Sequence, residues 1–343
     1  MMTSSLHIDS SYLHNPTTLF KRLAWKHLFQ KLTITATAET EHLLPLLQKT
    51  IDEIHAVASD YRDLRAQTTK NLLALIKIPR RITFGNALKF PHHAAIICGG
   101  GLSEQEISTL RKLQNKALII ACGSAFPKLL RANITPTFFA CIDPKPEFDP
   151  IVEKNRTPLL FQERTCQKHF QSLVGPKINM GSASSFPLDH YLFKTFQLDA
   201  GWGAATFGAA CAKLWECSQI ALCGISDSGR DRALSKSWIE ELHPIPIEKV
   251  TSRALPKLVF PTIETSPPDL LPLQSEIAHL LSLQKEPRPI FEAELTTSIL
   301  SELIFDPIWL IYKHLFAREK GDLATHKFLF YQRLLKTYQE ILC

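Results

Sequence analysis

Small and acidic residues with the chemistry to contact an anion or move a proton recur in the middle of the chain. The first group is Gly99-Gly100-Gly101 with Ser103, directly after the apolar run Ala94–Cys98. Ser103 and Glu106 have the spacing of a capping box, which predicts a helix start. A glycine turn before a helix N-terminus presents N–H groups to a phosphate or carboxylate, since no Cβ blocks the approach. The alternative is a tight turn without a ligand, and the triplet alone does not decide between them.

The other candidate groups also lie beside apolar runs. Asp143, directly before a proline, is the best candidate for a catalytic acid or base, and Asp227 is the second. For both aspartates the alternative is a turn-forming role. The residues predicted to bind a nucleotide or phosphate are Gly99, Gly100, Gly101, Ser103, Gly123, Ser124, Gly203 and Thr206.

An alternation of strands and helices positions these groups. Apolar runs predict strands at 94–98, 117–122, 137–142, 158–161, 177–180 and 219–223. Helices are predicted between them at 103–115, 124–133, about 165–173, 187–196 and about 203–217. This order favours an α/β fold with a Rossmann-like, mostly parallel sheet. Ligands of such sheets bind beyond the carboxyl ends of the strands, which is where the candidate groups lie.

The chain divides into three predicted regions. Residues 1–90 form an N-terminal helical region, and residues 91–235 form the Rossmann-like domain. Residues 236–343 form a proline-rich connector with at most short strands, followed by a C-terminal helical region. The predicted architecture is therefore a parallel sheet domain flanked by helical regions on both sides in the sequence.

Composition limits the compartment and the partners. The 343 residues carry a net charge of +6, which suits an anionic small molecule and is too small and scattered to predict nucleic-acid binding. Eight cysteines occur without zinc-ligand spacing, and no metal site is predicted. Four of them lie in apolar runs, which predicts buried free thiols and a reducing compartment. No signal peptide or membrane-spanning run is visible, so we expect a cytoplasmic protein.

Six of these segments occur in an order that resembles one protein family. Over about residues 91–230 the chain resembles the motility accessory factor proteins and the archaeal 6-hydroxymethylpterin diphosphokinases, which share one domain. The matching segments are Ile96–Ser103, Ala121–Ala125, Ile134–Pro144, Pro158–Phe161, Gly203–Thr206 and Ala221–Gly224.

The resemblance implies a Rossmann-like transferase domain that binds a nucleotide donor. One branch resembles sialyltransferases and is linked to moving a nonulosonic-acid-type sugar from a CMP-sugar to a protein Ser/Thr hydroxyl. The helical flanks resemble this branch more. The alternative is an enzyme that uses ATP with Mg²⁺ to transfer diphosphate to a pterin alcohol. A third possibility is a degenerate member that binds a nucleotide or a protein partner without catalysis.

The sequence departs from the family pattern at four places. Leu102 stands where the family usually has proline, and Gly123 stands where it often has an acid. After the last strand the family favours Gly-Gln-Asp, where this chain has Gly224-Ile225-Ser226, so that Asp227 comes one position late. The histidine often found near Ala205 is missing. The binding residues are kept, while the shifted acid and the missing histidine favour the non-catalytic alternative.

Overall fold

The computed structural model describes residues 3–28, 30–76, 80–145, 147–181, 187–192, 198, 203–225, 241–265, 268–316 and 321–343. The chain forms two compact units. The first unit comprises Met1–Arg65, Ser185–Phe193 and Asp269–Cys343, and the second comprises Ala66–Ser184 and Lys194–Pro268.

The N-terminal part begins with a small parallel sheet. Strand β1 (Thr3–Ile8) pairs with β2 (Lys31–Ala36), and helix α1 (Pro16–Lys26) lies between them in the sequence. Helix α2 (Leu44–Ile76) follows as one continuous helix. The first half of α2 presents apolar residues at spacings of three and four, which pack into a buried cluster with α1 and β1.

The second unit contains an eight-stranded sheet. Its strands are β3 (Arg80–Phe84), β4 (Ala94–Cys98), β5 (Leu118–Cys122), β6 (Phe138–Cys141), β7 (Leu159–Phe161), β8 (Lys177–Asn179), β9 (Gln219–Cys223) and β10 (Ile263–Thr265). The strand order is β10-β3-β8-β7-β6-β5-β4-β9. Neighbouring strands are parallel, except that β10 runs antiparallel to β3.

Helices cover both faces of this sheet. The helices of the second unit are α3 (Glu104–Leu113), α4 (Ala125–Arg131), α5 (Gln167–Ser172) and α7 (Ala204–Leu214), and α6 (Pro187–Leu192) belongs to the first unit. Alternate residues of β4, β5, β6, β7 and β9 enter two different buried clusters, one with α3 and α4 and the other with α7. Because both faces are covered, the central strands are continuous apolar runs rather than alternating ones.

The C-terminal part of the first unit is helical. It contains α8 (Leu271–Ser282), α9 (Arg288–Thr297), a π-helix at Ser301–Phe305, α10 (Asp306–Phe316) and α11 (Leu323–Leu342). Asp322 caps α11 by accepting the N–H groups of Ala324 and Thr325. In the described part of the chain no single helix has the length and apolarity to cross a bilayer. The pair Arg288–Thr297 and Ser301–Lys313, bent by 82°, meets that criterion only when taken together.

The structure confirms the α/β fold class and the six strands predicted between residues 94 and 223. The helices predicted between those strands are also present where the chain is described. Cys98, Cys122, Cys141 and Cys223 are free and buried, as expected. Burial raises the pKa of the Cys122 and Cys141 thiols, which makes both behave as apolar core residues.

The prediction that residues 1–90 are helical is wrong in part. Strands β1, β2 and β3 lie in this region. In β2 exposed and half-buried residues alternate, which is the pattern of an open two-stranded sheet rather than of a helix face. Strand β3 is formed by pairing with β8 and β10, which lie about a hundred or more residues further along the chain. A local sequence window contains neither partner.

Close packing of α7 on the sheet yields a first prediction. A Cβ on Gly208 would lie 2.7 Å from the Cys122 Sγ and 3.2 Å from the Ile97 Cγ2. Gly208→Ala should lower the free energy of unfolding by about 1–3 kcal/mol because it overpacks the core, although alanine is the better helix former. Chemical denaturation measures this. Gly203→Ala is the control, since a Cβ there meets nothing within 4 Å. Equal stability of Gly208→Ala and wild type would contradict this packing.

Candidate functional site

The glycine turn after β4 is bonded to the end of β9. The Gly99 N–H donates to the Cys223 carbonyl at 2.8 Å, and the Gly101 N–H donates to the Gly224 carbonyl at 2.7 Å. A Cβ on Gly99 would lie 2.4 Å from the Gly224 carbonyl oxygen. The glycines are therefore required for the close approach of two backbones. Two of the N–H groups predicted to bind an anion are used within the fold.

The start of α3 also holds an internal carboxylate. Ser103 caps the helix by accepting the Glu106 N–H, and the Glu106 Oε2 accepts both the N–H and the hydroxyl of Ser103 at 2.7 Å. The predicted capping box is thus confirmed. The Glu106 Oε1 accepts a further hydrogen bond from the Gly224 N–H at 2.9 Å, which the sequence did not indicate. Glu106 joins the ends of β4 and β9.

The pKa of Glu106 reflects these contacts. Partial burial raises the pKa, but hydrogen bonds from Ser103 and Gly224 and the charge of Lys128 lower it by more, so that the net pKa lies below the ordinary value. The Glu106 carboxylate is consequently ionised at neutral pH. It places a negative charge at the α3 N-terminus, where an external anion would otherwise bind.

The second glycine turn follows β5. Gly123 has a φ of +52°, a conformation that favours glycine, and its N–H donates to the Ala140 carbonyl at 3.0 Å. Ser124 is exposed and its side chain makes no cap bond to α4. Its hydroxyl lies over Gly100, since a Cβ on Gly100 would be 2.2 Å from the Ser124 Oγ. The two glycine turns therefore lie side by side.

The start of α7 adjoins the second turn. The Thr206 hydroxyl accepts the Gly203 N–H at 2.9 Å and donates to the Gly203 carbonyl at 2.8 Å. A Cβ on Gly123 would lie 3.8 Å from that of Ala204. Over the described ranges, the N–H groups of Ala204 and Ala205 have no hydrogen-bond partner. No described atom lies within 4 Å of a Cβ built on Gly203, so no described residue blocks the approach of an anion to this half-buried helix N-terminus.

Asp143 lies two residues beyond β6 and is exposed. Its Oδ1 accepts the Lys145 N–H at 2.8 Å, and its carbonyl accepts the Cys166 N–H at 3.2 Å. The turn-forming role considered for this aspartate is therefore real. It leaves Oδ2 without a hydrogen bond from any described residue, so that the carboxylate keeps an oxygen with which to accept a proton.

Buried polar groups next to Asp143 were missed by the sequence analysis. The Thr165 hydroxyl donates to the Cys141 carbonyl at 2.7 Å, and the Glu163 Oε1 accepts from the Asn179 amide at 2.9 Å. The amide of Asn71, in α2, donates to backbone carbonyls of the two loops that follow β6 and β7. These polar residues are not part of a motif with a recognisable spacing, so the sequence could not have identified them.

His169, in α5, is a buried imidazole near Asp143. Its ring packs against Phe139 and Phe148, with centroid distances of 5.7 and 5.3 Å. Burial lowers the pKa of His169, and the charge of Asp143 raises it by less, so that the net pKa is below the ordinary value. His169 is therefore neutral at pH 7.

The structure brings most of the predicted site residues together at the carboxyl ends of β4 and β5. These residues are Gly99, Gly100, Gly101, Ser103, Gly123, Ser124, Gly203 and Thr206. Asp143 follows the next strand, β6, which is about 5 Å away by ordinary strand spacing. Asp227 and Ser226 lie outside the described residues. Within the described ranges, no three His, Cys, Asp or Glu side chains form a metal-binding group.

Comparison with known proteins identifies the segment that carries this site. Residues 66–228 match a family model described as 6-hydroxymethylpterin diphosphokinase MptE-like. This segment is similar to that family, and we call it the MptE-like segment. It includes every candidate site residue named above, from the glycine turn to Asp227. The resemblance drawn from the sequence is thus confirmed over these residues. A search of curated proteins finds no match.

A solved structure has the same overall fold. The chain is similar to the MAf glycosyltransferase from Magnetospirillum magneticum AMB-1, with a TM-score of 0.52 and 12% sequence identity. The similarity covers 97% of this chain and 70% of the other. At this identity the comparison establishes the fold alone. The MptE-like segment therefore lies in a chain whose fold, including its helical flanks, is that of a known protein.

The Glu106 contacts of the MptE-like segment yield a pH-dependent prediction. Glu106→Gln should lower the free energy of unfolding at pH 7 by about 1 kcal/mol, because the amide has one acceptor oxygen where the carboxylate uses two, and the bonds that remain are neutral. Since the folded-state pKa of Glu106 is lowered, its contribution is present above about pH 5 and is lost as the pH falls through that pKa. Urea denaturation at pH 7 and at about pH 3 measures the difference in stability between the variant and wild type, which should be smaller at the lower pH.

The exposed Glu104, on the same helix turn, provides the matched control. Glu104→Gln should change stability by less than about 0.5 kcal/mol at either pH. An equal loss of stability in both variants at pH 7 would contradict a specific role for Glu106.

Proposed function

We propose that the chain is a nucleotide-dependent transferase. Its donor is a CMP-linked nonulosonic-acid-type sugar, and its acceptor is a protein Ser/Thr hydroxyl. Two findings support this proposal: the MptE-like segment at residues 66–228 and the fold shared with a MAf glycosyltransferase. Both helical flanks belong to the part of the chain that this similarity covers.

The observation that carries the proposal is the open N-terminus of α7. The phosphate of the donor binds there, with the N–H groups of Ala204 and Ala205 and the exposed hydroxyl of Ser124 as donors. The turn at Gly99–Gly101 forms one wall and does not supply the main contacts, because its N–H groups and the α3 N-terminus are already engaged. A helix N-terminus without side-chain charge suits a monophosphate such as that of CMP.

Asp143 is the proposed general base for the acceptor. Its carboxylate takes the proton of the acceptor hydroxyl while the hydroxyl oxygen forms a bond to the anomeric carbon of the sugar. The bond between that carbon and the phosphate oxygen breaks, and CMP leaves. Asp227, which the sequence also nominates, remains a second candidate for this role.

Diphosphate transfer to a pterin is the second candidate function. It is favoured by the description of the matching family model, which names a 6-hydroxymethylpterin diphosphokinase. That enzyme class would use ATP with Mg²⁺ as the donor. The third alternative, binding of a nucleotide or protein partner without catalysis, is favoured by the internal engagement of the glycine turn.

We place the proposed reaction in the cytoplasm. The four cysteines at the sheet edge are free and buried, which suits a reducing compartment. The acceptor in this proposal is a protein, and no nucleic acid takes part.

A nucleotide panel separates these functions. Thermal unfolding of the purified protein should be measured with CMP, CDP, UDP, GDP and ATP, each with and without Mg²⁺. Ligand binding to the native state raises the melting temperature by mass action. We expect a rise with CMP that does not require Mg²⁺. A rise with ATP and Mg²⁺ alone would favour the diphosphokinase, and no rise with any nucleotide would favour the non-catalytic alternative.

Gly203→Asp tests the place of binding. Aspartate is a good N-cap and its side chain enters open space, so the fold should be retained. Its charge at the proposed phosphate site should weaken CMP binding at least about tenfold, by roughly 1.4 kcal/mol or more. Gly203→Asn is the uncharged control and should bind CMP within about threefold of wild type. Unchanged CMP affinity in Gly203→Asp would place the phosphate elsewhere.

Asp143→Asn tests the proposed base. Asparagine still accepts the Lys145 N–H, so the local turn and CMP binding should be unchanged. Transfer from a CMP-linked nonulosonic acid to a Ser/Thr peptide should fall by at least about a hundredfold, since the amide cannot take a proton. Release of CMP in single-turnover assays measures this step. Normal turnover in the variant would remove Asp143 from the mechanism.

A further inference from the structure

Asn71 is a buried amide in the last turns of α2. Only 3% of its surface is exposed. Its Nδ2 donates to the Pro144 carbonyl at 2.7 Å and to the Arg164 carbonyl at 3.2 Å. The Asn71 Oδ1 accepts from the Gln67 Nε2 at 2.9 Å, one turn earlier on the same helix. Both amide hydrogens and the amide oxygen are therefore used, and the two carbonyl partners fix which side of the amide carries the nitrogen.

The two carbonyls belong to different loops at the carboxyl edge of the sheet. Pro144 directly follows Asp143, and Arg164 lies in the loop between β7 and α5. Two other hydrogen bonds join the same region: the Cys166 N–H donates to the Asp143 carbonyl, and the Thr165 hydroxyl donates to the Cys141 carbonyl. Asn71 contributes a connection from a helix, whose backbone is already fixed by its own hydrogen bonds.

We infer that Asn71 is a positioning residue that holds the Asp143 turn against the loop after β7. The role of Asp143 in this inference rests on the proposed function, whereas the contact made by Asn71 rests on the geometry alone. Pro144 is buried, so its carbonyl cannot exchange the lost amide for water without a local opening. An apolar side chain at position 71 would release the turn and let the Asp143 carboxylate move, while the glycine turns and α7 stay in place.

A purely structural role makes a different prediction. It would lower the stability of the whole sheet unit and leave the turnover of folded molecules unchanged. Loss of a positioning role instead loosens two loops and lowers kcat, while the KM for the nucleotide donor is unchanged because the backbone hydrogen bonds of Asn71 go to the loops after β6 and β7.

The test compares Asn71→Leu with Thr69→Val in the full chain. Leucine has the same branching at Cγ, is somewhat larger and has no donor, and Thr69 is a second buried polar residue of α2, with 4% of its surface exposed. Hydrogen exchange read by mass spectrometry should be about tenfold faster in Asn71→Leu over residues 141–145 and 162–166, and unchanged over β4 and β5. With CMP-linked N-acetylneuraminic acid as the donor, kcat should fall about tenfold at constant KM. Thr69→Val should leave both measurements unchanged.

Unchanged exchange in both loops, or equally faster exchange across the whole sheet, would overturn the inference. Should Asn71→Leu not fold, Gln67→Leu removes the bond that orients the amide and should speed exchange in the same two loops by about threefold. Absence of turnover in wild type would contradict the proposed function. The exchange data would then still decide whether Asn71 holds the turn.

Discussion

The rest of the site depends on the backbone contact between the turn after β4 and the end of β9. Gly99 and Gly101 donate to the carbonyls of Cys223 and Gly224, and the Glu106 carboxylate closes the same junction by accepting the Gly224 N–H. The contact lies where the strand order reverses, between β4 and β9. Open parallel sheets commonly bind ligands at such a point. Here the glycines allow two chain segments to approach each other. The N–H groups of Gly99 and Gly101 therefore make hydrogen bonds within the fold.

This contact makes the two helix N-termini at the sheet edge electrostatically unequal. The N-terminus of α3 faces an ionised carboxylate from its own first turn. The N-terminus of α7 begins with Gly203 and two alanines, and the Thr206 hydroxyl returns to the Gly203 backbone instead of covering the following N–H groups. An incoming phosphate would be repelled at α3 and attracted at α7. The proposed phosphate site therefore lies at α7 and not at the neighbouring glycine turn.

The sequence was sufficient for strands β4 to β9 and insufficient for the strands that precede them in the chain. Strands β4 to β7 are continuous apolar runs, and all six strands from β4 to β9 were predicted within a residue or two. Strands β2 and β3 were missed because pairing with distant segments defines them more than local composition does. The Ser103–Glu106 capping box was predicted, whereas the bond from Gly224 to Glu106 spans 118 positions and has no local signature. For the same reason nothing in the sequence pointed to Asn71.

The two halves of the sheet edge are held together by different kinds of contact. Around β4 and β5 the backbone itself makes the contacts, through glycines whose substitution would displace a neighbouring chain segment. Around β6 and β7 the loops carry side chains, and a buried amide from α2 holds them. A general base, the role proposed for Asp143, requires the second arrangement, because it must be exposed to a substrate and yet be positioned to within about 1 Å. The bond from Asn71 to the Pro144 carbonyl restrains the Asp143 turn through the backbone. The Oδ1 of Asp143 accepts the Lys145 N–H, and the Oδ2 has no partner among the described residues.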